Sequence, residues 1–223
     1  MKRFYIALFI IGSLLLPEFA IAEGNGVYVA PKFLMSIQNS GTVERSRALA
    51  GSDASDYSQF ALGGAFALGY DFWQQHLLPL RAELEFALRA NNEKTWSGDS
   101  ILEVKGTWNN STLFANLFWD FHNDTALTPY VGAGLGMAFV YTGYDFTDAN
   151  GNKFSADDRF TNFAWNVGAG LAYNINENFT LDAAYRFVGL GYTEVSATSG
   201  GRQYEIGNRP YNNEFMVGLR YGF

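Results

Sequence analysis

Residues 215–223 read FMVGLRYGF, and every second residue of this stretch is large and apolar. Phe215, Val217, Leu219, Tyr221 and Phe223 fall on one side of an extended chain, and Met216, Gly218, Arg220 and Gly222 fall on the other. Because successive side chains of a strand point to opposite faces, a period of two predicts a strand with one apolar face.

Seven further stretches show the same alternation, at 27–37, 60–72, 80–90, 113–121, 130–141, 162–174 and 179–190. Their connections alternate between long polar segments (38–59, 92–103, 142–161 and 193–211) and short ones (73–79, 122–129 and 175–178). Short periplasmic turns and long extracellular loops are typical of outer-membrane barrels. We therefore predict an all-β fold, an eight-stranded antiparallel up-and-down transmembrane β-barrel with four extracellular loops.

The N-terminus has the pattern of an export signal. Lys2 and Arg3 precede an apolar run at 4–16, and Ala20-Ile21-Ala22 resembles a cleavage site. The alternative is a membrane-spanning helix, but the run is shorter than the roughly 20 residues that a span needs. We predict a signal peptide at 1–22 and a barrel domain at 23–223, in a Gram-negative outer membrane.

Composition excludes several classes of function. The chain has 223 residues, a formal net charge of −7 and no cysteine. An acidic chain is a poor partner for nucleic acid, and a chain without cysteine has neither disulfides nor thiolate chemistry. We therefore expect no nucleic-acid partner.

The non-bulky face of the second, fifth and sixth strands decides which side is inside. A soluble ligand-binding barrel would place this face in water, but it consists mainly of Gly and Ala, and Gly is depleted in strands. Inside a small barrel, small residues leave room for long side chains from other strands. The apolar faces are therefore predicted to contact outer-membrane lipid.

Long charged side chains, with nearly equal numbers of cations and anions, are predicted to occupy the space that the small residues leave in the barrel interior. They are Lys32, Asp71, Arg81, Glu83, Glu85, Arg89, Asp120, Asp182, Arg186, Glu214 and Arg220. Buried charges are tolerated when they are paired, and the lumen of an eight-stranded barrel is just filled by side chains. We predict a structural interior ionic network without an open pore. The alternative is that these charges line a narrow path for ions or small solutes.

Aromatic residues cluster near the predicted strand ends. Phe72, Trp73, Trp119, Phe121, Tyr173 and Phe223 lie on the periplasmic side, and Trp108, Tyr141, Phe163 and Tyr192 lie towards the outside. Aromatic rings prefer the boundary between lipid and water, so this pattern predicts two girdles.

Three segments resemble the opacity-protein and outer-membrane-protein-A-like barrel families. They are GYDFWQQHLLPLRAELEF (69–86), PYVGAGLGMAF (129–139) and FAWNVGAGLAYNINENFTLDAAYRFVGLG (163–191). The resemblance implies a non-enzymatic outer-membrane protein of the surface-antigen or adhesin type. It also implies that Phe215, Val217, Leu219, Tyr221 and Phe223 form the signal read by the outer-membrane assembly machinery. Periplasmic chaperones are then partners during biogenesis.

Some outer-membrane barrels of this size are enzymes that act on lipid, so catalytic groups need weighing. His76 and His122 fall in predicted periplasmic turns, whereas Ser111, Thr112 and Ser155 fall elsewhere. A nucleophile and its base must lie within hydrogen-bond reach. We therefore predict no catalytic residues and no cofactor, and we keep a lipid-modifying enzyme as the third alternative.

The predicted outer loops carry polar residues that suit binding. The third, at 142–161, contains Asp145, Asp148, Asn150, Gly151, Asn152, Asp157 and Asp158. Aligning Gly151 with the glycine of a calcium loop places Phe146 at the first ligand position, so a specific metal site is not predicted. A weak, loosely bound divalent ion is the alternative for this loop. The first loop contains Glu44, Arg45, Arg47, Asp53 and Asp56, and the last contains Gly200, Gly201, Arg202, Tyr204, Glu205 and Arg209. A host or surface ligand of unknown identity is the expected partner of these loops.

Overall fold

A computed structural model describes residues 25–41, 43–45, 58–96, 101–148, 153–199 and 202–223. The predicted signal peptide at 1–22 lies outside these residues. The strands are β1 (Val27–Asn39), β2 (Val43–Arg45), β3 (Ser58–Asp71), β4 (Leu80–Arg89), β5 (Asn92–Trp96), β6 (Ile101–Asp120), β7 (Leu127–Asp148), β8 (Lys153–Asn174), β9 (Phe179–Gly189), β10 (Thr193–Ser199), β11 (Arg202–Asn208) and β12 (Tyr211–Gly222). A four-residue helix, α1 (Trp73–His76), connects β3 to β4.

Eight of these strands close into an antiparallel barrel in the order β1-β3-β4-β6-β7-β8-β9-β12, and β12 pairs with β1. The prediction of an eight-stranded up-and-down barrel is confirmed. β5 extends the sheet by pairing with the upper part of β6, and β10, β11 and β2 form a separate three-stranded sheet. Both ends of the barrel sequence meet at the end that carries the short connections, which we call the short-turn end. The opposite end is the long-arm end.

The strands are staggered around the barrel. Paired residues followed once around the ring from Tyr28 lead back to β1 at Gln38, ten residues further along the strand. Closing a sheet requires such a fixed stagger and tilts the strands relative to the barrel axis. The stagger also determines which side chains meet in the interior, because partners across the lumen lie far apart in the sequence.

The two faces of each barrel strand differ sharply in exposure. Leu135 is 62% exposed, and Phe66 and Leu84 also point outward. Glu85, by contrast, is 1% exposed. An outer wall of large apolar side chains around a charged interior is the arrangement that lipid selects. The structure therefore confirms the predicted orientation, with the large apolar side chains outside the barrel and the charged side chains inside it.

Three of the predicted long loops, at 92–103, 142–161 and 193–211, are largely β-structure where the structure describes them. β6, the fourth barrel strand, begins at Ile101, within the predicted loop at 92–103 and just before the less regular alternation through Val104 and Trp108 that leads into 113–121. β7 and β8 run through most of 142–161. Within the predicted loops, β2, β5, β10 and β11 also form. Backbone hydrogen bonds form these strands regardless of side-chain polarity. The alternation that predicts a strand, by contrast, is expected only where one face of the strand is apolar.

Among the residues that the structure describes, no helix combines the length and the apolar character of a membrane span.

Candidate functional site

The interior near the long-arm end is organised around Glu214 of β12. Its two carboxylate oxygens accept hydrogen bonds from Arg89 Nε at 2.6 Å and from Arg186 Nε at 2.7 Å. Ser36 Oγ donates to the same carboxylate at 3.1 Å, and Arg186 Nη1 donates to Glu85. Two arginines from different strands therefore share one buried carboxylate, with further donors and acceptors completing the shell.

The chain of ion pairs continues towards the short-turn end through Lys32. Its ammonium group lies 2.8 Å from Glu85 Oε2 and 2.6 Å from Glu83 Oε2. Glu83 Oε1 is 3.4 Å from Arg81 Nη1, and Arg81 Nε donates to Asp120 Oδ2 at 2.6 Å. We call this continuous set the interior network. It consists of Arg89, Glu214, Arg186, Glu85, Lys32, Glu83, Arg81 and Asp120.

A separate ion pair lies beside the interior network. Arg220 donates through Nε and Nη2 to Asp182 Oδ2, at 2.9 and 2.6 Å. With this pair, ten of the eleven predicted interior charges lie in the lumen as five cations and five anions. Removing a charge from water is costly unless a partner of opposite sign is close, so a balanced and fully paired set is the arrangement that a sealed interior tolerates.

Asp71 is the predicted interior residue that does not join the other charges. It ends β3, opposite Arg81 in the strand register, and its Oδ1 accepts a hydrogen bond from the backbone N–H of Trp73 at 2.9 Å. Its membership in the ionic network is therefore wrong. The reason is its position at the last residue of the strand, where the chain turns into α1 and the side chain serves the turn.

Aromatic rings inside the barrel were not predicted. The Arg81 guanidinium carbon lies 4.7 Å from the centroids of both Phe118 and Tyr130, and Tyr28 Oη donates to Glu83 at 2.7 Å. Arg186 lies over Phe114 at 5.7 Å. These contacts provide cation–π attraction in a desolvated site. The alternation contained the signal, because each ring occupies the same strand face as a charged or small residue of the lumen.

The inward glycines provide the space for these rings and chains. A Cβ added to Gly132 would lie 2.2 Å from the Phe118 ring, and one added to Gly69 would lie 2.2 Å from the Tyr28 ring. A Cβ on Gly218 would lie 2.8 Å from Lys32 Cγ. Small residues on one strand thus accommodate large side chains of its neighbour, as predicted for a filled barrel.

Little open space remains in the lumen. A cavity of about 40 Å³ lies among side chains that include Lys32, Glu85, Asp182 and Arg186. Asp182 Oδ1 and Arg186 Nη2 have no hydrogen-bond partner among the described protein atoms. A polar cavity of this size has room for a few water molecules, and water there would satisfy both atoms.

An apolar cluster packs inside the barrel beyond Arg186, towards the long-arm end. Its buried members are Phe114, Ala138, Val140, Ala164, Val188 and Leu190, and Phe160 packs against them. The cluster packs against the wall formed by β6 to β9, and buried polar side chains that include Asn110, Thr112 and Asn212 share this end of the lumen. Apolar and hydrogen-bonded polar side chains are therefore packed together above the paired charges.

The predicted acidic loop is a β-hairpin. Asp145 pairs with Ser155, and Asp157 pairs with Gly143, on strands β7 and β8. Asn150, Gly151 and Asn152 lie outside the described residues, as do Arg47, Asp53, Asp56, Gly200 and Gly201 of the first and last predicted loops. Among side chains that the structure does describe, none form a group of three or more metal-ligating residues.

The five residues of the predicted assembly signal occupy the end of β12. Phe215, Val217, Leu219 and Tyr221 face outward, and the backbone N–H of Phe223 donates to Val27 O at 3.1 Å. Their recognition by assembly machinery stays a prediction. His76 and His122 both lie at the short-turn end, where the His122 ring stacks on Trp73 with centroids 3.9 Å apart.

Known proteins share this architecture. Outer membrane protein PagN of Salmonella typhimurium (strain LT2) is 29% identical over 240 residues, an alignment that covers 100% of both chains. The crystal structure of OprG from Pseudomonas aeruginosa superposes with a TM-score of 0.53 at 14% identity, covering 90% of this chain and 97% of that one. Neisserial surface protein A gives a TM-score of 0.50 at 17% identity, covering 89% and 97%. The two solved structures share the fold.

The sequence profile described as "Outer membrane protein beta-barrel domain" matches residues 6–223. The match includes all eight barrel strands, and it confirms the resemblance that the strand segments predicted. Together with the relationship to PagN, it places the chain in the outer membrane of a Gram-negative bacterium. The protein belongs to the outer membrane protein beta-barrel domain family.

Proposed function

We propose that this protein is a non-enzymatic surface protein, of the adhesin or surface-antigen type, in which a sealed barrel holds extracellular β-arms for binding. The observation that carries the proposal is the closed lumen. The interior network, the apolar cluster around Phe114 and buried polar side chains such as Asn110 and Asn212 fill it, and the cavity beside the network has a volume of about 40 Å³. A barrel whose lumen is filled by side chains is suited to hold extracellular segments in place rather than to conduct solutes.

At the long-arm end, the strands are long enough to extend beyond the membrane and form a binding surface. β7 and β8 each contain 22 residues, whereas a strand crosses the membrane in roughly 9–11. Their upper halves therefore project beyond the hydrocarbon as a paired hairpin. Arg159 on this hairpin lies 5.7 Å from the Tyr141 ring. Binding residues on arms fixed by a rigid scaffold are common in recognition proteins.

Two alternatives have less support. A narrow channel for ions or small solutes would have to pass the paired charges and the buried side chains packed above them. A lipid-modifying enzyme would need a nucleophile beside a base, but His76 and His122 lie at the short-turn end, and Thr112 Oγ1 accepts a hydrogen bond from Arg89 deep in the lumen. Catalysis requires such groups within about 3 Å of each other.

The adhesin proposal is tested by shortening one arm at a defined register. Thr142 and Asp158 are paired, so replacing 143–157 by Asn-Gly joins β7 and β8 through a two-residue hairpin turn. The same replacement at 175–178, on the periplasmic turn, is the matched control. Bacteria that display the full chain should adhere to cultured host cells, the arm-shortened variant should lose at least part of that adhesion, and the turn control should keep it.

Two results would contradict the proposal. Full-length protein that confers no adhesion above an empty strain, or adhesion that survives shortening of every long arm, would remove the binding role. Conductance in planar bilayers addresses the scaffold separately. Correctly folded protein should leave the bilayer silent, and steady single-channel steps would favour the channel.

A further inference from the structure

The periplasmic rim of the barrel has two unlike sides. On one side, the β3–β4 and β6–β7 connections expose a set of apolar and aromatic side chains, which we call the rim patch. It consists of Trp73, Leu77, Leu78, Phe121 and His122. Leu77 is 71% exposed, Phe121 50% and Leu78 47%. Exposed polar residues such as Gln75 and Asp124 lie beside the rim patch. Across the ring, the β8–β9 connection is the turn NINEN at 174–178, whose single apolar residue, Ile175, is 54% exposed between asparagines and Glu177; we call it the polar turn.

Leu77 combines an exposed apolar side chain with an unfavourable backbone conformation. Leu77 follows α1 with φ 53° and ψ 27°, in the left-handed region, and its N–H donates to Trp73 O at 3.0 Å. Gly or Asn adopts this conformation at much lower cost than a leucine. The leucine side chain gains little burial within the protein to offset that cost. An apolar contact outside the protein would supply the missing stabilisation.

The rim patch is held as one surface. The Trp73 and His122 rings, which come from different connections, stack with centroids 3.9 Å apart and planes 11° apart. Asp120 N donates to Pro79 O at 2.9 Å, which ties the segment after Leu78 to the end of β6. A surface fixed by contacts between two connections is preorganised for a partner.

The rim patch is continuous with the lipid-facing wall. Leu80, two residues after Leu78, pairs with the exposed Trp119, which precedes Phe121 by two residues on β6. The apolar exterior of the barrel therefore runs past the ends of β4 and β6 without a polar break. On the opposite side, the wall gives way to Asn174 and Asn176 with the lone Ile175 between them, and Asn176 Oδ1 accepts hydrogen bonds from Asn178 N and Phe179 N.

We propose that the rim patch inserts into the periplasmic leaflet of the outer membrane and binds phospholipid there. Leu77 and Leu78 contact acyl chains, while the indole and imidazole N–H groups of Trp73 and His122 donate to glycerol-ester and phosphate oxygens. The polar turn across the ring stays in water. The barrel is therefore anchored more deeply on the β3–β4 side than on the β8–β9 side.

The absence of native cysteine allows a direct measurement of depth. Leu77→Cys carries a nitroxide label in the rim patch, and Glu177→Cys carries it in the polar turn. In vesicles of phosphatidylethanolamine and phosphatidylglycerol, the label at 77 should collide more with oxygen than with an aqueous nickel chelate, and the label at 177 should show the reverse. The comparison holds for either direction of insertion, because both sites lie on the same rim.

Two outcomes of this experiment would overturn the proposal. A label at 77 that meets the nickel chelate as readily as the label at 177 would place the rim patch in water. A label at 77 that is shielded from both reagents would indicate a protein contact, such as a second copy of this chain, in place of lipid.

A second pair of variants tests the energetics. Leu77→Asn relaxes the left-handed backbone but removes the apolar side chain, so the unfolding equilibrium constant in these vesicles should rise about tenfold if lipid covers it. Ile175→Asn, on the polar turn, is the matched control and should change that constant much less. A Leu77→Asn protein as stable as the parent, or equal losses for both variants, would refute the asymmetric anchor.

Discussion

Strands β4 and β7 have the same outer face and opposite inner faces. Both present large apolar side chains to lipid, including Leu84 on β4 and Leu135 on β7. Inside, β4 carries Arg81, Glu83, Glu85 and Arg89, whereas β7 carries Gly132, Gly134, Gly136 and Ala138. The two strands are separated by β6 alone.

The difference shows that the outer and inner faces are under different constraints. Lipid requires apolar side chains on the outer face of every strand, whatever its neighbours carry. The lumen has a fixed volume that all eight strands share, so long charged chains on β4 require small residues elsewhere. The charge on β4 must also be balanced by other strands, as Glu214 of β12 balances Arg89.

The largest effect should come from breaking the charge balance of β4. Glu214→Gln keeps the side-chain volume but leaves Arg89 and Arg186 without their shared carboxylate, which should cost about 3–5 kcal/mol in the free energy of unfolding. Urea unfolding in phospholipid vesicles measures it. Glu93→Gln is the control, since the Glu93–Lys105 pair is 54% and 40% exposed, and its loss should cost about 0–1 kcal/mol. Equal costs would mean that burial of the pair is unimportant.

The shared outer face can be broken next. Leu135→Arg places a charge on the lipid side of β7, which should cost about 2–4 kcal/mol at the middle of the bilayer. Leu127→Arg, at the start of the same strand at the short-turn end, should cost about 0–1 kcal/mol because the charge reaches water. Vesicle unfolding compares the two variants. The lipid assignment of this face fails if the charge is equally tolerated at both positions.

The small inner face of β7 can be tested by adding one methyl group. A Cβ at Gly136 would lie 2.0 Å from Leu113 O, a backbone atom that cannot move away without displacing β6. We expect Gly136→Ala to cost about 1–3 kcal/mol. Gly64→Ala is the control on the outward face of β3, where the nearest atom is Lys32 O at 3.7 Å, and it should stay within about 0.5 kcal/mol. A neutral Gly136→Ala would show that the lumen is loosely packed.

Sequence periodicity was sufficient to predict which side chains face lipid, but not which side chains contact one another inside the barrel. Leu84 and Leu135 could be assigned because lipid imposes the same rule on every strand. The partner of Arg89 could not, because it depends on a stagger of ten residues that no local pattern contains. Phe118 and Tyr130 were missed for a related reason. Aromatic residues were assigned to lipid, whereas here they pack against a buried guanidinium group.

The arms were missed for a different physical reason. The sequences of β10 (TEVSATS) and β11 (RQYEIGN) lack the alternation of large apolar residues from which the barrel strands were predicted. The hydrogen bonds that form them come from the backbone, which the sequence pattern does not describe. The candidate binding surface is therefore the part of the molecule that the sequence describes least.

The smallest effect should come from Asp71, at the boundary between the two constraints. It lies opposite Arg81 in the register, as a member of the interior charges would, but the structure gives it the N–H of Trp73 as its partner. An amide oxygen accepts that bond equally well, so Asp71→Asn should change the free energy of unfolding by less than about 0.5 kcal/mol. Asp120→Asn is isosteric and removes the carboxylate that holds Arg81, which should cost about 3–5 kcal/mol. If the two substitutions cost the same, Asp71 contributes its charge to the lumen after all, and the volume shared by the strands extends to the last residue of β3.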